Sequence, residues 1–368
     1  MSEINVVEAW KHLHATPELG FKEAKTSEWL AGQLEALGYE VTRGVGGTGV
    51  VGYMRSGKPG PVLMLRADMD ALPFENPDGT VSCVHACGHD GHSAMVLAAA
   101  SRLAGKVKKG TLKILFQPGE ETLNGALAVI KDHVLDDVDI ALGCHVRPVQ
   151  DIPEGTCCAA VRHVAGAFVK IGIKGVTSHA SRPHLGVNAA EAAALVTLAV
   201  AAIKSNPALK WSCKVTSIKT ESKAANIIPD KAEVMIDVRA QTNGQLDELL
   251  DKIRKAAECA AGANGAEAEV TLVDGVKIPA AVYDEDLVAE VAETIREELG
   301  ADRLSPDCGG GGEDFHFFKL SKPSIKAAYF GVGAGCTPGL HARTMHFNPE
   351  QLEMGVRVLT AMALKKIG

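Results

Sequence analysis

The sequence predicts an α/β protein: a mixed, largely parallel sheet with flanking helices, into which a smaller α+β domain is inserted. Three observations predict it. Helical and strand patterns alternate through the opening third of the chain, as in a parallel sheet sandwiched between helices. Three apolar runs there each lead into a polar cluster. From about residue 165 the order becomes strand, helix, strand, strand, helix, strand, the ferredoxin-like arrangement, which can stand as a domain by itself.

Trp29, Leu30, Leu34 and Leu37 share one face of a predicted helix over 26–37, and Gly38 follows as its stop. The apolar runs 62–65, 112–116 and 140–142 read as buried strands, with helices after His92 and after Asn124 connecting them. The second pattern places strands at 168–173, 211–219, 232–239 and 268–273, with helices at 187–203 and 246–261. Beyond Pro279 come a helix over 284–299, a glycine-rich loop, a strand over 327–331 and a final helix from Pro349. These late elements are expected to complete the first sheet. The expected domains are 1–164 with 277–368, and an inserted domain of 165–276.

Composition narrows the function classes. A chain of 368 residues suggests more than one domain. With 46% hydrophobic and 23% charged residues it reads as a soluble globular protein. A net charge of -7 offers no basic field for nucleic acid or an anionic membrane, and no segment approaches membrane-spanning length. The start MSEINVVEAWKHLH lacks the basic end and apolar run of a secretory signal. Nine cysteines without regular spacing do not form a disulfide framework. A cytoplasmic location is the expectation.

The three polar clusters are Arg66-Ala-Asp-Met-Asp70, Gln117-Pro-Gly-Glu-Glu121 and Cys144-His145. Ligands bind beyond the carboxyl ends of strands in open α/β sheets, so the clusters are expected to converge on one crevice. Between the first two lies His85-Ala-Cys-Gly-His-Asp-Gly-His92, with thiolate and imidazole groups of the kind that hold metals. A histidine-rich turn is the plainer reading, and it stays first choice for His85 and His92. Glu120 and Glu121 can divide into a metal ligand and an acid/base only if the chain turns at them, and Pro118-Gly119 supplies a turn. His145 and His341 each read alone as core histidines. Joined to Cys87, His89 and Glu121 they make a set too large for one tetrahedral ion and suited to two ions sharing a bridge.

These motifs resemble the metal-dependent aminoacylase and carboxypeptidase family of clan MH, most closely its amidohydrolase branch of aminoacylases and of hippurate, indole-acetyl-amino-acid and aminobenzoyl-glutamate hydrolases. The resemblance spans nearly the whole chain. His14-Ala-Thr-Pro-Glu-Leu19, Arg66-Ala-Asp-Met-Asp-Ala-Leu-Pro73, His85-Ala-Cys-Gly-His-Asp90, Phe116-Gln-Pro-Gly-Glu-Glu121, Asn226-Ile-Ile-Pro229 and Gly312-Glu-Asp-Phe315 follow the branch's signatures in order. It implies a zinc-exopeptidase-like catalytic domain with an inserted lid and dimerisation domain. Cys87 would bridge two divalent ions, zinc, manganese, cobalt or nickel. His89 and His145 would complete one site, Glu121 and His341 the other, with Glu120 the general acid/base and Asp70 orienting a ligand. Asp68 stands where the wider family has a histidine ligand. His179 would reach a neighbouring subunit's active site, while Asn226 and Arg239 match positions near the substrate; a turn residue and a surface charge are their plainer readings. The connection 74–84 is shorter than in relatives.

The expected function is hydrolysis of an amide bond in a small molecule, an N-acyl amino acid or a related conjugate, by a homodimer. Alternatives are a dipeptidase or carboxypeptidase, or an aminohydrolase of a non-peptide C–N bond. A thiol hydrolase using Cys87 and His89 would leave Glu120 and Glu121 unused, and a non-enzymatic metal-binding protein would leave Glu120 without a task.

Overall fold

The computed structural model describes residues 3–222 and 224–368. Two compact units result, one of Met1–Arg162 with Val282–Gly368 and one of His163–Ala281.

The first unit is built on an eight-stranded sheet in the order Glu40–Val45, Gly49–Arg55, Thr111–Gln117, Val62–Asp68, Ile140–Pro148, Lys326–Cys336, Cys157–Cys158, Leu304–Ser305. Its centre is parallel, from Thr111–Gln117 through to Lys326–Cys336. The hairpin Glu40–Arg55, which the sequence reading did not pick out, adds two antiparallel strands at one edge. Residue 140–142 was the apolar core of a longer strand: Ile140–Pro148 stays paired through Gly331↔His145 and Val332↔Val146. His145 therefore lies within the strand rather than after it, because backbone pairing continues past the apolar run. Arg66, Ala67 and Asp68 likewise belong to the strand Val62–Asp68 and are buried.

Helix His89–Leu103 begins four residues earlier than expected, so His89 sits in its first turn. Gly88, the residue before it, has φ +97°, and a Cβ there would meet Val146 Cγ2 at 2.4 Å. Only glycine allows this entry. The helix is almost wholly buried, packed against strand Val62–Asp68 and helix Leu352–Ile367. The short connection 74–84 forms a hairpin of Leu72–Glu75 with Val81–Val84.

The second unit is an antiparallel sheet in the order Trp211–Thr220, Lys231–Ala240, Ala165–Lys174, Glu267–Leu272. Alternate residues of its central strands, Val169, Ile171, Val234, Ile236 and Val238, bury against helices Ala189–Ala201 and Asn243–Ala263. The second helix supplies Leu246, Leu249, Ile253 and Ala257 at helical spacing, behind a Thr242 cap. Strand Trp211–Thr220 is an edge. Among the described residues no helix is long and apolar enough to cross a membrane.

Candidate metal centre and active site

Cys87, His89, Glu120, Glu121, His145 and His341 come together at the carboxyl end of the first unit's sheet. Cys87 and His89 flank the tight helix entry. Strand Thr111–Gln117 runs into Pro118-Gly119, where Gly119 takes φ +63° and starts the 3-10 turn Glu120–Thr122. That turn, expected from Pro118-Gly119, lets both neighbouring carboxylates serve one site. His145 comes from strand Ile140–Pro148. His341 hangs on a loop whose backbone N–H donates to the Ala86 carbonyl at 2.7 Å, and its side chain stays 57% exposed.

The ligand atoms fall into overlapping sets, two of which share Cys87. Those of Cys87, His89 and His145 lie within 4.8 Å of one another, and so do those of Cys87, Glu121 and His341. Cys87 belongs to both. Its Sγ is 3.4 Å from His145 Nε2, Glu121 Oε1 is 3.5 Å from His341 Nε2, and Glu121 Oε1 is 3.9 Å from His89 Nε2. Among the described residues, His89 Nε2 and Glu121 Oε1 are buried without a hydrogen-bond partner, a state that costs about 1–3 kcal/mol per group if nothing satisfies it. Burial, as the largest cause, raises Cys87 well above the thiol range and raises both Glu120 and Glu121, with each group's acidic neighbours adding to it. The centre is short of positive charge. Orphaned soft and hard donors facing each other in such a place fit divalent cations.

The surrounding groups hold the donors in place. Asp70 Oδ1 accepts from His89 Nδ1 at 3.1 Å and Oδ2 accepts from the Glu121 N–H at 2.9 Å, so one carboxylate orients two donors. His145 Nδ1 donates to the Val146 carbonyl, leaving Nε2 toward Cys87. His92 has both nitrogens engaged: Nδ1 donates to Asp68 at 2.6 Å and Nε2 accepts the Val146 N–H at 3.0 Å. His85 is buried with neither nitrogen hydrogen-bonded among the described residues, and burial lowers its pKa.

Behind Glu120 lies a network that the search for ligand-type residues missed. The Asp314 N–H donates to Glu120 Oε1 at 3.3 Å, which leaves Oε2 facing His89 Nε2 at 3.8 Å. Fully buried Arg66 reaches Asp68 at 2.6 Å, Asp314 at 2.7 Å, Glu313 at 3.1 Å and Gln117 at 3.0 Å. Asp314 Oδ2 also accepts from the Ala126 N–H at 2.8 Å. The signal was in the sequence, as the carboxylate pair Glu313-Asp314 after a run of four glycines. Replacing Arg66 with Met leaves Asp68 and Asp314 buried without their cation, and about 3–5 kcal/mol of stability should be lost. Urea unfolding of metal-free protein measures it; a loss under about 1 kcal/mol would mean the carboxylates discharge instead of remaining ionised.

Residues 64–365 match the sequence profile of Peptidase family M20/M25/M40. The chain belongs to this family. Hippurate hydrolase of Campylobacter jejuni subsp. jejuni is 32% identical over 365 residues, covering 96% of this chain and 94% of its own. Thermostable carboxypeptidase 2 of Saccharolobus solfataricus is 30% identical over 391 residues, covering 99% and 97%. Among solved structures, the YXEP protein of Bacillus subtilis, described as a dinuclear metal binding peptidase of the M20 family, superposes with a TM-score of 0.82 at 26% identity, over 98% of this chain and 97% of its own. This M20-family chain is a metal-dependent hydrolase acting on C–N bonds.

In the second unit of the M20-family chain, His179 and Asn226 are neighbours, since the Ala180 N–H donates to the Asn226 carbonyl at 2.9 Å and His179 pairs with Ile227. His179 is exposed. Its Nδ1 accepts from the Ser181 N–H at 3.1 Å, so the ring proton sits on Nε2. Arg239 is not brought to them. It lies near the far end of strand Lys231–Ala240, roughly 26 Å along the strand from Lys231 at about 3.3 Å per residue. There its guanidinium forks onto Asp237 at 2.9 and 2.8 Å and covers the Phe168 ring.

Proposed function

We propose that this hydrolase cleaves the amide bond of an N-acyl amino acid or a related amino-acid conjugate, and that Cys87, common to two donor sets, would help to hold a pair of divalent ions. The observation that carries the reading is the overlap of two donor sets at Cys87, with unpartnered buried atoms of His89 and Glu121 turned inward. With Cys87, His89 and His145 would hold one ion, and Glu121 and His341 the other. Bound there, the ions supply Lewis acidity, acidifying water and polarising a carbonyl. Thiolate and imidazole donors suit zinc, cobalt or nickel, and the carboxylate admits manganese.

Glu120 is the acid/base. With Oε1 held by the Asp314 N–H, Oε2 takes the proton of the attacking water and returns it to the departing nitrogen, which is a poor leaving group unprotonated. Asp70 keeps His89 and Glu121 aimed. The hippurate hydrolase relative supports the amino-acid conjugate as substrate, and the carboxypeptidase relative favours a second reading, C-terminal peptide cleavage. A turnover screen of metal-reconstituted protein on N-acyl amino acids, dipeptides and aryl amides separates them. Highest kcat/KM is expected on an N-acyl amino acid; preference for a dipeptide installs the second reading, and no turnover on any class removes both.

The substrate is held, in this reading, by Asn226, Arg239 and His179, whose Nε2–H donates to the oxyanion. Arg239 stands near one end of strand Lys231–Ala240, whereas the segment 226–228 that pairs with His179 leads into the other end, and this separation supports a homodimer. The exposed edge strand Trp211–Thr220, with Ile218 50% exposed, is a surface on which two inserted units can pair. His179→Ala is expected to stay folded and metal-loaded while kcat falls roughly 10²-fold. Mixing it with Glu120→Gln should restore activity on subunit exchange, because one active site in each heterodimer then has both residues. Exchange without recovery would remove the action in trans. The nine free cysteines suit a reducing, cytoplasmic compartment.

A further inference from the structure

We infer that Cys158 and Cys308 form a reversible redox site, a thiol pair that a hydroperoxide closes to a disulfide and that governs turnover through the loop bearing Glu313 and Asp314. Their sulfurs already lie 3.5 Å apart. Segment Leu304–Ser305 runs parallel to Cys157–Cys158, and Cys308–Gly309 runs parallel to Val161–Arg162. Asp307 secures the alignment, accepting from the Ala160 N–H at 3.1 Å and from Arg162 Nε at 3.0 Å. A disulfide needs about 2.05 Å between sulfurs, so roughly 1.5 Å of closure is required. The backbone that must yield is glycine at 309–312, with φ +101° at Gly310 and +74° at Gly311.

The two thiols divide the chemistry. Cys308 is partly exposed and Cys158 is buried. The Cys158 hydrogen bond, together with the Arg147 cation and against the cost of burial, holds the Cys308 thiol below the usual range, while Cys158 is raised by its bond to Cys308 and by burial. Cys308 is thus the attacking thiolate. It displaces alkoxide or hydroxide from the hydroperoxide, becoming a sulfenic acid, and the leaving oxygen takes up the proton that the Cys308 thiol released on ionising. The Cys158 sulfur then attacks the sulfenic sulfur, its proton leaving with the hydroxyl as water. Two thiols and one hydroperoxide give one disulfide, one alcohol or water, and one further water.

The consequence follows from the chain. Five residues after Cys308 comes Glu313, and Asp314 donates its N–H to Glu120 Oε1 at 3.3 Å. Drawing Cys308 toward Cys158 pulls on that loop, and misplacement of a reacting group by about 1 Å can cost up to 10²-fold in rate.

The test treats metal-loaded protein with a few equivalents of hydrogen peroxide, maps bridged peptides by mass spectrometry after alkylation, and follows turnover on the substrate found above. The expected result is a Cys158–Cys308 bridge, a fall in turnover of about tenfold, and recovery of both by dithiothreitol. Cys308→Ser should keep the basal rate and not respond to peroxide. Absence of the bridge, a bridge with unchanged turnover, or equal inactivation of Cys308→Ser would each overturn the inference. The turnover arm rests on the proposed hydrolase reading, whereas peptide mapping does not, so failure of one is told from failure of the other.

Discussion

Glu120→Gln is expected to lower kcat by at least about 10²-fold while leaving two ions bound per chain. Glutamine keeps the shape and keeps an oxygen for the Asp314 N–H, which holds Glu120 Oε1 at 3.3 Å. It cannot take a proton from water or return one to the leaving nitrogen. KM should change little, since Glu120 acts in the transition state and not in holding the substrate. Steady-state kinetics with metal analysis of the same sample makes the measurement. A rate within about threefold of the parent would remove Glu120 from the mechanism and leave its burial beside Glu313 and Asp314 a matter of structure alone.

Cys87→Ala is expected to abolish turnover and to take most of both ions with it, because the Cys87 sulfur belongs to both donor sets. Chelation of the parent protein should mimic it, with activity returning when zinc, manganese, cobalt or nickel is restored. In Cys87→Ala no added metal should restore the rate. Loss of only one ion would mean that the thiolate serves a single site, and full activity in exhaustively stripped parent protein would exclude the metal mechanism. Glu121→Ala provides the contrast: it leaves the Cys87, His89 and His145 set whole, so it should lower the metal content without emptying that site.

Much of the centre could be read from residue types. Cys87, His89, Glu121, His145 and His341 stand out together because thiolate, imidazole and carboxylate are metal-ligand types, and the structure gathers all five in the first unit. The turn at Pro118-Gly119 was legible because glycine and proline act on their own neighbours. His92 and His85 looked alike in sequence, yet one has both nitrogens bonded and the other neither. Such partners come from residues 24 and 54 positions away, a distance no local pattern spans.

By itself, the sequence determined the α/β class, the insertion pattern, the five metal-type donors and the glutamate beside them, since these depend on periodicity, turn chemistry and side-chain type. Tertiary structure decided that the Cys87 sulfur, which the family resemblance made a bridge, reaches both donor sets, that Asp314, itself held by Arg66, donates to Glu120 from behind, and that Cys158 meets Cys308 across 150 residues. Each of these is a meeting of groups distant in the chain. Sheet order and strand register set such meetings, and both are fixed by the packing of the whole core rather than by any segment of it.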